Sequence, residues 1–422
     1  MDVQLHRLLP LLLLLSWPFF RRGDHSAARD AADLHPIVIL PGHSCSQLDA
    51  RLTEEYEPAA PPSCGARKGK GWFRLWENRT ALQDPALLPC YAEQLRLVYD
   101  PVAGDYRNVR GVDVRVVSFG TTGGFIPRCP SYRKLVEALE GVGYKDGGNL
   151  FGAPYDFRYG PAPRGQPAQH FAHFVSSLRL LVERASARNG NKPVILVSHS
   201  QGGINAMAFL DQSPLPWRRR YVKHFVMVST GAGGIVTALR ALASSVSHPP
   251  PPGDVLSLFG NTGRSFESTF LTLPSPKVFA HTPLVITRAR NYSAYDIPEL
   301  LAAAGFSDDE VARYRTRTLP GVLNFSAPIV PVTCINGVGV PTPELVYWDD
   351  IDAEPRVVYG DGDGNVNLAS VLALDTVIGK YLGQDYYKSV LIPNATHTGI
   401  LADDFARQRV VSEILQANTA VY

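Results

Sequence analysis

Pro193-Val-Ile-Leu-Val-Ser-His-Ser-Gln-Gly-Gly203 is the stretch whose reading decides the fold. Pro193 to Val197 is a short, β-branched apolar run without alternation, the pattern of a strand buried on both faces. It passes directly through Ser198-His199-Ser200-Gln201 into Gly202 to Leu210, whose apolar residues are spaced as on a helix. A strand that turns into a helix around a serine puts that serine in a strained backbone conformation, with its hydroxyl raised above the sheet end. The residues two before and two after it must be small for strand and helix to approach. Here they are Ser198 and Gly202, serine standing where a glycine is usual. Ser200 is therefore the candidate nucleophile. His199 is expected to point away from the turn and is read as a packing residue.

Working outward, strands and helices alternate. Pro36 to Leu40 is a buried strand stopped by Pro41-Gly42, and Val112 to Val117 alternates as a strand. Tyr132 to Leu139 and Phe171 to Arg188 have helical spacing, and Val222 to Val228 is another strand. This rhythm is that of an α/β protein with a parallel sheet covered on both faces. It lapses between about 229 and 325, which reads as an inserted cap. The sheet is expected to resume at Arg356 to Tyr359, followed by a helix over Leu368 to Tyr381, a strand over Tyr387 to Ile392 and a terminal helix. The segment from 44 to 95, with Trp72, Phe73 and Trp76 among basic residues, reads as a surface loop that could form an apolar lid.

A serine hydroxyl needs a base to take its proton and an acid to hold that base, in the chain order nucleophile, acid, base. Asp363 lies in Tyr359-Gly-Asp-Gly-Asp-Gly-Asn-Val366, a glycine-rich turn after a β-branched run, with Asp361 as competitor. His397, in Pro393-Asn-Ala-Thr-His-Thr-Gly399, is the only histidine C-terminal to Asp363. Backbone N–H donors for an oxyanion are expected from Gln201 and from the Pro41-Gly42-His43-Ser44 turn, with His43 preferred over Ser44. Together these features describe an α/β-hydrolase fold over 33–422, with a lid loop at about 44–95 and a cap at about 229–325.

The opening of the chain has the form of a secretory signal peptide over 1–28: an apolar run from Leu8 to Phe20, then Arg21, Arg22 and small residues. The run contains Pro10 and Pro18 and is shorter than the roughly 20 residues that span a bilayer, so cleavage is preferred to membrane anchoring. Sequons at Asn78, Asn291, Asn324 and Asn394 fit that route to a secreted or luminal protein, vacuole and endoplasmic reticulum included. Five cysteines without C-x-x-C spacing suit neither a zinc site nor a disulfide scaffold. Cys64 and Cys90, which bracket a Gly/Lys/Arg/Trp-rich loop, are the preferred bridge. With 41 basic against 39 acidic side chains, net charge +2, and 45% hydrophobic residues, the chain is a globular protein with no electrostatic case for nucleic acid. No metal or cofactor is called for.

Several runs are more specific than a generic hydrolase pattern. They are Ile39-Leu-Pro-Gly-His-Ser-Cys-Ser-Gln-Leu-Asp-Ala-Arg-Leu52, Trp72-Phe-Arg-Leu-Trp76, Gly152-Ala-Pro-Tyr-Asp-Phe-Arg158, Ser198 to Gly203, Arg290-Asn-Tyr-Ser-Ala-Tyr-Asp296 and Gly360-Asp-Gly-Asp-Gly-Asn-Val-Asn367. On these the chain, from Ile37 to about Val411, resembles the lecithin:cholesterol acyltransferase family, closest to its plant branch and related to lysosomal phospholipase A2. The resemblance implies triad roles for Ser200, Asp363 and His397, a Cys64–Cys90 bridge at the base of a membrane-contacting lid, and Trp72 and Trp76 within that lid. It implies transfer of an acyl chain from a phospholipid, at a membrane or lipid-particle surface, to serine and then to an alcohol or water. Plain phospholipase action, or a lipid-binding protein without turnover, are the alternatives. The chain departs from the family at His43, acidic in the phospholipase branch, at Asn365, where threonine is common, and at Ile400, where methionine often follows the histidine.

Overall fold

The computed structural model describes residues 34–59, 61–243, 262–323, 325–349 and 355–421. The expected signal peptide and Asn324 lie outside the described residues. Six strands form one wholly parallel sheet: β1 (Ile37–Leu40), β2 (Leu150–Gly152), β3 (Val194–His199), β4 (Val222–Val228), β5 (Val332–Val338) and β6 (Tyr387–Pro393), in the spatial order β6-β5-β4-β3-β1-β2. Successive side chains of a strand leave opposite faces, so the apolar runs feed two cores. Val38, Leu40, Leu196, Phe225 and Met227 join one cluster, and Ile37, Ile39, Ile195, Val197, Val226 and Val228 the other. Helices α1 (Ser131–Glu140), α2 (Gln169–Arg188), α3 (Gln201–Asp211) and α4 (Asp404–Thr419) cover them.

Some expectations are corrected. The strand Arg356–Gly360 does not rejoin the central sheet. It pairs antiparallel with Thr342–Trp348 in a separate four-stranded sheet with Val285–Thr287 and Asn291–Tyr292. The place in the parallel sheet between β4 and β6 belongs to β5, whose Asn336-Gly-Val-Gly-Val interrupts the apolar pattern that would mark it. Val112–Val116 likewise leaves the main sheet for a three-stranded antiparallel sheet with Leu48–Leu52 and Phe73–Trp76. The stretch from 44 to 95 is thus not a loop: it holds these two strands and the helices Arg79–Gln83 and Leu88–Leu95, packed on the larger core. Between β4 and β5 lie short helices with their own apolar cluster, which Val346 and Trp348 complete from beyond β5. Arg317, buried on this side, pairs with Asp105 at 2.8 Å and Glu267 at 2.7 Å, while Glu267 accepts the Gly160 amide.

Candidate active site

Ser200 sits between β3 and α3 with φ 55° and ψ −127°. A side chain in this region is strained, and the neighbourhood shows what sustains it. The Ser200 amide donates to the Val228 carbonyl at 3.0 Å. A Cβ on Gly202 would fall 2.5 Å from the Leu40 carbonyl oxygen, so only glycine lets α3 approach β1 this closely. Ser198 has 1% exposure, small enough for the buried strand end.

The three residues of the expected triad meet although 197 positions separate the first from the last. His397 Nε2 lies 3.0 Å from Ser200 Oγ, and its Nδ1 lies 2.8 Å from Asp363 Oδ2. The His397 amide also donates to the Asp363 carbonyl at 2.8 Å. Asp363 Oδ1 accepts the amides of Asn365 at 3.0 Å and Val366 at 2.7 Å. Burial works against the charge on Asp363, but its hydrogen bond and attraction to His397 and the two amides outweigh this and hold the carboxyl below its ordinary range. Asp363 reaches the site through a bridge to Val340, two residues beyond β5, not from a strand of its own. Asp361 is exposed and accepts the Gly339 amide at 2.6 Å, away from His397.

Ser200, His43 and Gln201 line one cavity of about 190 Å³, with Ile204, Ile235, Ala238, Thr272 and Val366 among its walls. Ile204 also borders a larger groove of about 340 Å³ lined by Met207, Leu271, Val322 and Phe325. The His43 ring donates from Nδ1 to Gln201 Oε1 at 2.6 Å, and Gln201 Nε2 donates to the Phe157 carbonyl at 3.1 Å. Burial lowers the His43 pKa to about 4, the Gln201 bond opposing it, so the ring is neutral near pH 7. Ser44, the alternative donor, accepts the Trp76 indole N–H on its carbonyl at 2.6 Å.

Trp76, expected in a lipid-contacting lid, has 0% exposure. Its ring stacks parallel to Tyr91 and meets the edge of Phe157, so it is a core residue. Trp72 is 37% exposed, with the Arg51 and Arg115 guanidinium groups 5.1 and 4.2 Å from its ring. Cys64 and Cys90 are bridged. A second bridge, Cys45–Cys129, which the cysteine spacing does not mark, ties the residue after the Pro41–Ser44 turn to the residue two positions before α1. Nothing in the local sequence pairs cysteines 84 positions apart. Among the sequons, Asn291 and Asn394 are exposed, whereas the Asn78 amide caps a helix, accepting from Ala81 and donating to Arg74. No cluster of potential metal ligands occurs among the described residues.

Comparison with known proteins adds family and fold. The family model described as "Lecithin:cholesterol acyltransferase" matches residues 72–282. A "Lecithin-cholesterol acyltransferase-like 1" from Oryza sativa subsp. japonica is 43% identical, covering 99% of this chain and 94% of the relative. The human "Lysosomal phospholipase A and acyltransferase" is 34% identical over 86% of this chain and 85% of its own. Among solved structures, a chain of the Tle4-Tli4 complex matches 92% of this chain and 99% of its own with a TM-score of 0.50 at 12% identity, a likeness of fold alone. With the family model matching half its length and relatives above 30% identity covering most of it, this chain belongs to the lecithin:cholesterol acyltransferase family.

Proposed function

We propose that the protein is a serine-dependent acyltransferase and lipid acyl hydrolase acting on phospholipid esters. The observation that carries this reading is the continuous Asp363–His397–Ser200 hydrogen-bonded line, with the serine on a strained turn at the floor of an apolar cavity. His397 Nε2 takes the Ser200 proton as Oγ attacks the ester carbonyl carbon, and Asp363 stabilises the imidazolium that forms. The backbone N–H groups of Gln201 and His43, two residues that line the cavity with Ser200, are the donors we assign to the oxyanion. As the tetrahedral intermediate collapses, the carbon–oxygen bond to the lysolipid breaks. His397 returns the proton to the departing alkoxide, leaving an acyl-serine. In the second half His397 deprotonates an alcohol or water, which takes the acyl group and frees Ser200.

The names of the relatives support both outcomes. The human relative is called a phospholipase A and an acyltransferase, and a relative from Papio anubis, 28% identical, a phosphatidylcholine-sterol acyltransferase. Two disulfides suit an oxidising, luminal or extracellular compartment. No helix among the described residues is long and apolar enough to cross a membrane. The exposed Trp72 with its arginines is the part of the expected lid that we assign to a lipid surface, and Trp76 is not.

The test is to incubate the protein and its Ser200→Ala variant with labelled phosphatidylcholine vesicles containing a sterol or long-chain alcohol and separate the products. Serine-dependent acyl ester establishes transfer, and serine-dependent free fatty acid alone establishes the hydrolase. Identical product profiles from the two proteins would defeat the proposal.

A further inference from the structure

The imidazole of His199 has no part in the steps above, although it adjoins Ser200 in the chain. It is buried, and both ring nitrogens are engaged. Nε2 lies 2.8 Å from the carbonyl oxygen of His397, and Nδ1 lies 3.1 Å from the Tyr132 hydroxyl. The same hydroxyl is 2.7 Å from the backbone nitrogen of Gly42. The protons then have one consistent placement. The Gly42 amide must donate and the His397 carbonyl must accept. His199 therefore carries its hydrogen on Nε2, and its bare Nδ1 accepts from Tyr132, whose oxygen accepts from Gly42. A charged ring would place two donors on the Tyr132 oxygen and leave the hydroxyl hydrogen unpartnered in a buried site, which is costly. Burial, and then the neighbouring His397, lower the His199 pKa to about 3, in keeping with the neutral ring.

Gly42 and His397 belong to the two loops that the chemistry needs on either side of Ser200. Gly42 precedes His43 in the turn after β1, and His397 is carried by the segment after β6. They lie at different places along the sheet edge. The line Gly42–Tyr132–His199–His397 joins them through the residue next to the nucleophile. The fit around the turn is close as well: a Cβ on Gly42 would fall 3.0 Å from His199 Nδ1 and 3.2 Å from the Ser200 Cβ.

We propose that His199 is a positioning residue that holds the His397 loop and the Gly42–His43 turn in register with Ser200 through its two hydrogen bonds. This rests on the reading of Ser200 and His397 as nucleophile and base. A misplacement of about 1 Å in such a constellation can cost on the order of a hundredfold in rate. A ring that merely fills space could be replaced by phenylalanine without that loss.

The experiment compares the wild type with His199→Phe, His199→Gln, Tyr132→Phe and the double variant Tyr132→Phe/His199→Phe. Each folded protein is checked by near-ultraviolet circular dichroism. The readouts are the rate of Ser200 labelling by a fluorophosphonate across pH 5 to 9, which needs no lipid, and kcat and KM on labelled phosphatidylcholine vesicles. Labelling and kcat are expected to fall about 10- to 100-fold in His199→Phe with KM nearly unchanged. His199→Gln, whose amide can still donate to the His397 carbonyl, is expected to recover part of the rate. The double variant is expected to be no slower than His199→Phe, because both changes cut one line. A folded His199→Phe labelled at the wild-type rate, or additive losses in the double variant, overturns the proposal. Should His199→Phe fail to fold, a wild-type labelling rate in both His199→Gln and Tyr132→Phe overturns it. Wild-type labelling without any phospholipid turnover removes the lipid reading and leaves the positioning role standing on the labelling rates. A Ser200 that no probe labels removes both.

Discussion

At the scale of single residues, the site separates chemically similar neighbours by environment. Asp361 and Asp363 stand two positions apart on one glycine-rich turn, yet one is exposed and the other is enclosed, with two amides on one oxygen and an imidazole on the other. Asp363→Asn is expected to lower kcat by about a thousandfold or more by disfavouring the tautomer in which Nδ1 carries the hydrogen, whereas Asp361→Asn costs less than about tenfold. Steady-state kinetics on a soluble ester, normalised to labelled Ser200, distinguishes them. Equal losses would mean that the acid has been misassigned. Trp72 and Trp76 are a second such pair. Trp76→Ala removes a fully enclosed indole and is expected to destabilise the fold by about 3–5 kcal/mol. Denaturant midpoints test this, and a Trp76→Ala midpoint equal to that of the wild type contradicts the core assignment.

Among elements, the turn between β3 and α3 and the turn after β1 are built against each other. The Gly202 contact with Leu40 brings them together, and the Cys45–Cys129 bridge fastens the second turn to α1, which carries Tyr132. Replacing both Cys45 and Cys129 by alanine is expected to cost about 2–5 kcal/mol of stability. Because the bridge borders the Gly42–His43 turn, the same variant is expected to lose ester turnover when assayed below its unfolding transition. The Cys64→Ala/Cys90→Ala variant, whose bridge lies farther along the chain from that turn, serves as the control. Full activity per folded molecule in the Cys45/Cys129 variant would show that the bridge does not shape the turn.

For the whole molecule, three buried histidines set a direction in pH. Burial lowers the pKa values of His43 to about 4 and of His199 and His224 to about 3, against 6.5 in the unfolded chain; the neighbouring His397 contributes at His199, and Lys223 and Lys388 contribute at His224. Between pH 6.5 and about 4 the unfolded chain therefore binds protons that the folded one refuses, so stability falls as pH falls through this window. Guanidinium unfolding at pH 7.5, 6 and 5 should give descending midpoints, and a midpoint that rises toward pH 5 refutes the buried neutral assignment. The ion cluster of Arg317, Asp105 and Glu267 acts at the same scale, joining the segment between β4 and β5 to the body of the fold.

The sequence by itself determined what local pattern can carry. Unbroken apolar runs marked β1, β3 and β4, small residues around Ser200 marked the elbow, and the chain order of serine, aspartate and histidine named the residues that meet. Tertiary structure alone decided that Trp76 is core, that Cys45 pairs with Cys129, that β5 takes the place assigned to Arg356–Tyr359, and that His199 joins two loops. The reason is common to all four. Periodicity reports which face of an element is apolar, whereas these outcomes depend on which distant group occupies the space opposite, and a contact made across 84 or 198 positions leaves no trace in the spacing of its neighbours.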